Sequence, residues 1–164
     1  MKLLSKQDGR QSRHTSAFTL PELLVTLVIV SLLLSLALPA YRGQIVRAKR
    51  VQGQAALLKM MQQQERYYAQ HNRYLAFSAG ASEPQARQFA WWSGEGGEEA
   101  AVRSAYELDA VVCAGASLVQ CVLLRARPGT GRVDRQFSDT DCGMLTLSST
   151  GERGSAGPAT LCWP

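Results

Sequence analysis

The feature that most constrains this chain is an uncharged, strongly apolar stretch near its N-terminus. Residues 23–38 contain no Asp, Glu, Lys or Arg. As a helix, the wider segment of residues 18–39 would be about 33 Å long at ~1.5 Å per residue, which matches a hydrocarbon layer of ~30 Å. The stretch therefore predicts a helix that can span a bilayer, attached to a second part of different composition.

The basic character of the chain comes mostly from the residues before this stretch. The formal net charge is +5. Residues 1–17 hold four basic side chains and one acidic side chain, so removing their net +3 leaves +2 for a product that begins at Phe18. This small excess is a weak argument for nucleic-acid binding. Four basic residues lie on each side of the stretch, so the positive-inside rule assigns no orientation.

The chain continues from the apolar stretch as an amphipathic helix over residues 41–70. We expect one long helix, bent near Pro39 because proline removes a backbone donor and crowds the preceding turn. The helical spacing predicts a buried face of Ile45, Ala48, Ala55, Leu58 and Met61. It predicts a solvated face of Arg47, Lys49, Arg50, Gln62, Gln63 and Gln64. The second half of the helix would then be the spine of a globular head.

Residues 71–164 carry the signals of a small α+β head. Residues 71–104 are a connecting region in which we expect buried aromatic side chains, among them Tyr74, Phe77, Phe89, Trp91 and Trp92. Strand patterns follow at residues 106–112 and 118–126, which predict a hairpin, and at residues 143–148. The remainder is a tail rich in Gly, Pro and Ser that ends in Cys162 and Trp163.

Four cysteines, Cys113, Cys121, Cys142 and Cys162, all lie in the last third of the chain. An even number in a segment that would lie outside the cytoplasm predicts two disulfides, and the residues alone leave three pairings open. Zinc is disfavoured because no close Cys-x-x-Cys pair is present and His71 is the only histidine beyond residue 17. We expect no metal and no cofactor.

An acidic residue stands at the start of the apolar stretch, in Thr19-Leu20-Pro21-Glu22. A carboxylate that enters a bilayer costs about 3 kcal/mol, so Glu22 is expected to have a partner. Cleavage before Phe18 would create an ammonium group four residues away, which could pair with Glu22 of a neighbouring subunit. Thr19-x-x-Glu22 is also the pattern of a capping box at a helix start. Both interpretations stay open.

These residues resemble a known processing site. The run Ser16-Ala17-Phe18-Thr19-Leu20-Pro21-Glu22-Leu23-Leu24-Val25 is similar to the signal and N-methylation site of type IV prepilins. The resemblance implies a leader of residues 1–17, cleavage between Ala17 and Phe18 by a prepilin peptidase, and methylation of Phe18. It gives Glu22 the role of the assembly glutamate and Pro39 that of the helix-bending proline. Ala17 departs from the usual Gly, and Pro21 from the usual large aliphatic residue.

The resemblance extends into the head. Residues 50–74, residues 141–151 and the terminal Cys162-Trp163 are similar to PilE-type minor pilins. This implies the type IV pilin fold, a bent helix on a small antiparallel sheet with a C-terminal loop closed by Cys142–Cys162, which leaves Cys113–Cys121 in the hairpin. Residues 18–40 would be the transmembrane and filament-core helix.

The resemblance also implies partners and a location. The partners would be other pilins, the prepilin peptidase and the inner-membrane assembly machinery of a pilus of the kind used in motility, adhesion or secretion. The subunit would cross the inner membrane once with its head in the periplasm, and would then enter an extracellular filament.

Other functions are weighed against this one. ComP-like relatives bind DNA during natural transformation, and Arg125, Arg127 and Arg132 are the candidate DNA contacts here. A pseudopilin of a type II secretion system is a second alternative. A secretory signal cut after Ala40 is a third, which would release a soluble domain. An enzyme is disfavoured because no nucleophile setting is recognisable around the single remaining histidine.

Overall fold

A computed structural model describes residues 19–163, without the side chains of residues 39 and 40. The predicted leader, residues 1–17, and Phe18 lie outside the described residues. The chain divides into two compact units, residues 1–40 and residues 41–164. One helix, α1 (Leu20–His71), supplies the described part of the first unit and begins the second.

The second unit contains a four-stranded antiparallel sheet in the order β1 (Tyr106–Val112), β2 (Val122–Pro128), β3 (Leu145–Ser148) and β4 (Arg153–Ser155). Leu108 pairs with Ala126, which in turn pairs with Leu145. These inward-facing side chains are buried in one cluster together with Leu57 and Met60 of α1. Burial of this apolar face between helix and sheet drives the packing. The predicted α+β class is confirmed.

The predicted bounds of the hairpin are correct for β1, but the second strand begins later than predicted. We expected the second strand over residues 118–126, but β2 begins at Val122. The carbonyl of Ser117 accepts hydrogen bonds from the backbone N–H groups of Gln120 and Cys121, at 2.9 Å each. The side-chain oxygen of Gln120 in turn accepts from the backbone N–H of Ser117 at 3.1 Å. These bonds form a turn where the apolar pattern had indicated a strand.

The end of the chain is more regular than its composition predicts. We expected a strand from Gly143, but β3 begins two residues later, at Leu145. Gly143 has a φ of +54°, a left-handed conformation that is not compatible with a strand and that glycine adopts readily. The predicted tail contains β4 and a short helix, α2 (Ala159–Cys162). β4 is only three residues long and has glycine at its centre, so strand propensity does not reveal it.

The predicted buried face of the amphipathic helix is wrong except at Met61, which is half-buried against the core. Ile45 and Leu58 are 39% and 44% exposed, and Ala48 and Ala55 are exposed as well. The buried side of α1 consists of Arg50, Gly53, Gln54, Leu57, Met60 and Gln64. Three of these side chains are polar and have hydrogen-bonding partners in the head, so they can be buried at little cost. A count of apolar residues alone therefore selects the opposite face.

The aromatic connecting region is largely as predicted. Tyr74, Phe77 and Phe89 are buried, while Trp91 and Trp92 are half-buried. Phe77 forms a β-bridge with Ala110, and Trp92 forms one with Glu107. The connecting region therefore covers the outer edge of β1, which would otherwise offer unpaired backbone groups.

Candidate functional site

The apolar part of α1 is the first candidate site. Its large apolar side chains from Leu20 to Leu38 are each between 50% and 75% exposed. Within the described residues, α1 is the one helix long and apolar enough to cross a membrane, with a mean hydropathy of 2.6 over its most apolar window. So much exposed apolar surface requires lipid or other helices around it.

The polar side chains inside this segment are satisfied within the helix. The hydroxyls of Thr26, Ser31 and Ser35 donate to the carbonyls of Leu23, Val28 and Leu32, at 2.8, 2.8 and 2.7 Å. Such bonds remove the cost of placing a hydroxyl in hydrocarbon. Among the polar side chains of Leu20–Leu38, Glu22 is then the one that has no hydrogen bond to the described residues.

Glu22 lies in the first turn of α1 and its side chain is exposed. The carbonyl of Thr19 accepts the backbone N–H of Leu23 at 3.2 Å. Along residues 19–163, the first side-chain hydrogen bond is that of Thr26, so Thr19 and Glu22 do not form the alternative capping box. Glu22 is therefore free to pair with a group outside the described residues.

The side chains of three further predicted site residues, Ala17, Phe18 and Pro39, are not described. Ala17 and Phe18 are outside the described residues. At Pro39 the backbone is helical and the side chain is not described. Cleavage at Ala17, methylation of Phe18 and a bend at Pro39 stay predictions.

A buried ion pair fixes the C-terminal loop to α1, and the sequence did not indicate it. Nε and one terminal nitrogen of Arg50 donate to the two carboxylate oxygens of Asp139, at 2.8 and 2.7 Å. The Tyr106 hydroxyl donates to the same carboxylate at 2.7 Å. Burial would raise the pKa of Asp139, but the hydrogen bonds from Arg50 and Tyr106 outweigh it and hold that pKa below its usual value. The arginine was assigned to the solvated face because its partner is 89 residues away.

The same loop is closed by a disulfide. Cys142 and Cys162 are bonded, with Cα atoms 5.6 Å apart. The backbone N–H of Cys142 donates to Asp139 at 3.1 Å, and the side-chain amide of Gln54 donates to the carbonyl of Cys162. Disulfide, ion pair and amide therefore fix both ends of this loop against α1.

A second disulfide closes the turn between β1 and β2. Cys113 and Cys121 are bonded, with Cα atoms 5.5 Å apart. The described chain contains no free cysteine, and the two pairs are the same as those that the pilin resemblance implied. Residues 19–163 contain no group of three His, Cys, Asp or Glu side chains able to hold a metal ion.

The three candidate DNA contacts differ in how free they are. Arg125 and Arg127 lie on the outer face of β2, opposite Asp109 and Glu107 of β1. Nε of Arg125 donates to Asp109 at 3.1 Å, and Arg127 donates to Glu107 at 3.4 Å. Their side chains are 30% and 42% exposed. The structure therefore places both in ion pairs, with much of their charge already neutralised.

Arg132 is the exception among the three. Its side chain is exposed and forms no ion pair with residues 19–163. It lies over Gly80, a residue that also lines an open cleft of about 700 Å³ together with Arg73 and Arg125. A basic surface at this cleft would depend on Arg132 and Arg73 more than on the paired arginines of β2.

Comparison with protein families gives two matches. Residues 39–146 match the family profile described as "Type IV minor pilin ComP, DNA uptake sequence receptor". Residues 12–38 match the prokaryotic N-terminal methylation motif. Together the two matches run from the predicted processing site to the third strand of the head.

Two solved structures are also similar. A type IV pilin from Shewanella oneidensis is 27% identical, over 73% of this chain and 98% of that one, with a TM-score of 0.44. The non-core minor pilin PilV of Neisseria meningitidis is 15% identical, over 70% and 90% of the two chains, with a TM-score of 0.44. No curated protein sequence matches this chain.

Proposed function

This chain belongs to the type IV minor pilin ComP family, and on that premise we propose how the subunit is processed, anchored and assembled. A prepilin peptidase cleaves between Ala17 and Phe18 and methylates the new N-terminus. The apolar part of α1 then crosses the inner membrane once, and the head lies in the periplasm. The assembly machinery moves the subunit from the membrane into a filament with other pilins.

One observation carries this proposal: a helix that exposes apolar side chains along its whole first part keeps a single acid, Glu22, at its start. Leaving lipid for a bundle of helices changes little apolar surface, so packing and polar pairing must decide which helices associate. A carboxylate among apolar helices is costly unless it is paired. We propose that Glu22 pairs with the Phe18 ammonium of a neighbouring subunit and sets the axial position of the helix.

Replacement of Glu22 by Leu tests this role. We expect the variant to remain membrane-inserted and processed, but to be missing from filaments sheared off the cell. The matched control is Thr26→Leu, which also removes a polar group from the segment but leaves the proposed pair intact. Filament incorporation of Glu22→Leu at the level of the wild-type chain would remove Glu22 from the mechanism.

The matching family profile favours a second candidate function, the binding of DNA during uptake, since its description is that of a DNA uptake sequence receptor. Arg125 and Arg127 would have to exchange Asp109 and Glu107 for phosphate, so we propose that Arg132 is the stronger contact of the three. Each phosphate contact contributes to a salt-dependent affinity.

DNA retention by the full chain in detergent tests this candidate. Arg132→Gln should weaken retention and lower the slope of affinity against salt by about one unit. Arg66→Gln is the control, since it removes an exposed charge from α1 that does not line the cleft. A wild-type chain that does not retain duplex DNA at low salt would exclude this function.

A further inference from the structure

One end of the second unit carries a concentration of basic side chains, which we call the basic end. It consists of the start of this unit's part of α1, Arg103, and the loop of residues 129–137. Lys49 of α1 pairs with Asp134 of this loop at 3.0 Å and lies 5.0 Å from the centre of the Phe137 ring. The loop is therefore fixed beside the first turns of α1 in this unit.

Backbone hydrogen bonds bring Arg103 to the same place. The N–H of Asp134 donates to the carbonyl of Ser104 at 2.9 Å, and that of Gly129 donates to the carbonyl of Ala105 at 3.2 Å. Arg103 precedes Ser104 in the sequence, and Arg135 follows Asp134. Both arginines therefore flank a contact that the structure fixes.

The charge of this end is not neutralised within the head. Arg42, Arg47, Arg103, Arg132 and Arg135 are exposed and form no ion pair with residues 19–163. With the two acids that pair with Arg50 included, seven basic and three acidic side chains give this end a net charge of +4: Arg42, Arg47, Lys49, Arg50, Arg103, Arg132 and Arg135 against Asp134, Asp139 and Asp141. The whole chain from Phe18 onward has only +2, so the remainder is net negative.

The position of these charges in the sequence indicates what they face. Arg42 is the first charged residue after Glu22, and Arg47 follows five positions later. Basic side chains that directly follow a membrane-spanning segment are attracted by anionic lipid headgroups. The contacts of Asp134 with Lys49 and Ser104 bring Arg103 and Arg135 beside this part of α1 within the second unit.

We infer that the basic end is a docking surface for anionic lipid headgroups, on which the head rests while the subunit is anchored in the membrane. The inference rests on the membrane insertion proposed above. Each basic side chain close to an anionic surface favours contact with it about fivefold, which is enough for five exposed arginines to bias the position of the head. Entry into a filament removes the head from this surface, so anionic lipid also stabilises the unassembled subunit.

Hydrogen exchange of the full chain in lipid nanodiscs tests this inference. Exchange in peptides covering residues 98–104 and 129–137 is compared between discs of phosphatidylcholine alone and discs that also contain phosphatidylglycerol. We expect exchange to be about fivefold slower or more in the anionic discs at low salt, and the difference to disappear at high salt. Arg103→Gln with Arg135→Gln should abolish the difference, whereas Arg66→Gln with Arg73→Gln, an equal charge change near the C-terminal end of α1, should preserve it.

The outcomes separate the two proposals. A chain that does not enter the discs overturns the membrane anchor, and with it this inference. A chain that enters the discs but exchanges equally in both lipids overturns the docking surface alone. If anionic lipid has no effect on these peptides but duplex DNA slows their exchange in neutral discs, the surface binds nucleic acid and the inference is contradicted.

Discussion

Arg50 and Asp139 form a two-point hydrogen-bonded ion pair whose side chains are only 6% and 0% exposed. The carboxylate also accepts the hydroxyl of Tyr106 on β1 and the backbone N–H of Cys142. One acidic group therefore connects the helix, the sheet and the disulfide-closed loop. The loop is therefore held to α1 by these polar contacts as well as by the apolar side chains that it buries in the core, among them Leu145 and Leu147.

Replacement of Arg50 by Met should lower the free energy of unfolding by about 3–5 kcal/mol, because it leaves a buried carboxylate without its counter-charge. Urea denaturation of the detergent-solubilised chain measures this loss. Lys49→Met is the matched control: its pair with Asp134 is partly exposed, with side chains 30% and 28% accessible, so it should cost less than about 1 kcal/mol. Equal losses in the two variants would show that the buried pair is not special.

The ion pair also predicts a dependence of stability on pH. The pKa of Asp139 is lowered in the folded chain, mainly because the hydrogen bonds from Arg50 and Tyr106 outweigh burial. An unfolded Asp has a pKa of about 3.9, so the contribution of Asp139 is complete above that pH and is lost as the pH falls through its lower folded value. The stability gap between the wild-type chain and Asp139→Asn should be constant from pH 5 to 7, on the scale of about one kcal/mol or more, and should narrow below about pH 4. A gap that widens in acid would contradict this assignment.

Two glycines of α1 should respond to alanine in opposite directions. A Cβ on Gly53 would lie 2.8 Å and 3.0 Å from two ring carbons of Tyr106, while a Cβ on Gly43 would meet nothing within 4 Å. The Tyr106 ring cannot move aside easily, because its hydroxyl is bonded to Asp139 and its edge packs on Phe137. Gly43→Ala should stabilise the chain by up to about 1 kcal/mol through helix propensity, and Gly53→Ala should destabilise it by about 1–3 kcal/mol. Thermal or urea unfolding measures the change in stability for both variants. Stabilisation by Gly53→Ala would contradict the close contact with Tyr106.

Replacement of Gln64 by Leu should destabilise the chain much more than the same replacement of Gln62. The fully buried Gln64 amide donates to the carbonyl of Leu75 at 2.7 Å and accepts the N–H of the same residue at 2.9 Å. Gln64→Leu leaves both backbone groups buried without partners and should cost about 2–5 kcal/mol. Gln62 is exposed, so Gln62→Leu should change stability by no more than about 0.5 kcal/mol. Similar losses in the two variants, measured by denaturation, would contradict this difference.

The sequence predicts the first part of this molecule better than the second. An uncharged run with one acid at its start can be recognised without any knowledge of tertiary contacts, because a segment that enters a membrane has to be apolar along its whole length. Arg50, Gln54 and Gln64 follow the helical period of Gly53, Leu57 and Met60, but their polar character places them on the wrong face in any count of apolar residues. Their partners, Asp139, the carbonyl of Cys162 and the backbone of Leu75, are supplied by the fold.

The ion pairs of the sheet also could not be predicted from the sequence, because their partners are set by the fold. Arg125 and Arg127 are on the outer face, as the alternation of β2 implies, yet Asp109 and Glu107 on the paired strand are almost fully buried beneath them. Only the register of β1 against β2 brings these charges together. A list of arginines from the sequence therefore suggested a free basic surface where the fold forms ion pairs.

The central claim is that this chain joins a filament through a processed apolar helix that begins at Phe18. Mass spectrometry of the protein recovered from sheared filaments tests it most directly. We predict an intact mass and an N-terminal peptide that correspond to a chain starting at N-methylated Phe18, with both disulfides formed. A filament fraction without this protein, or a secreted form that starts at Tyr41, would contradict the claim.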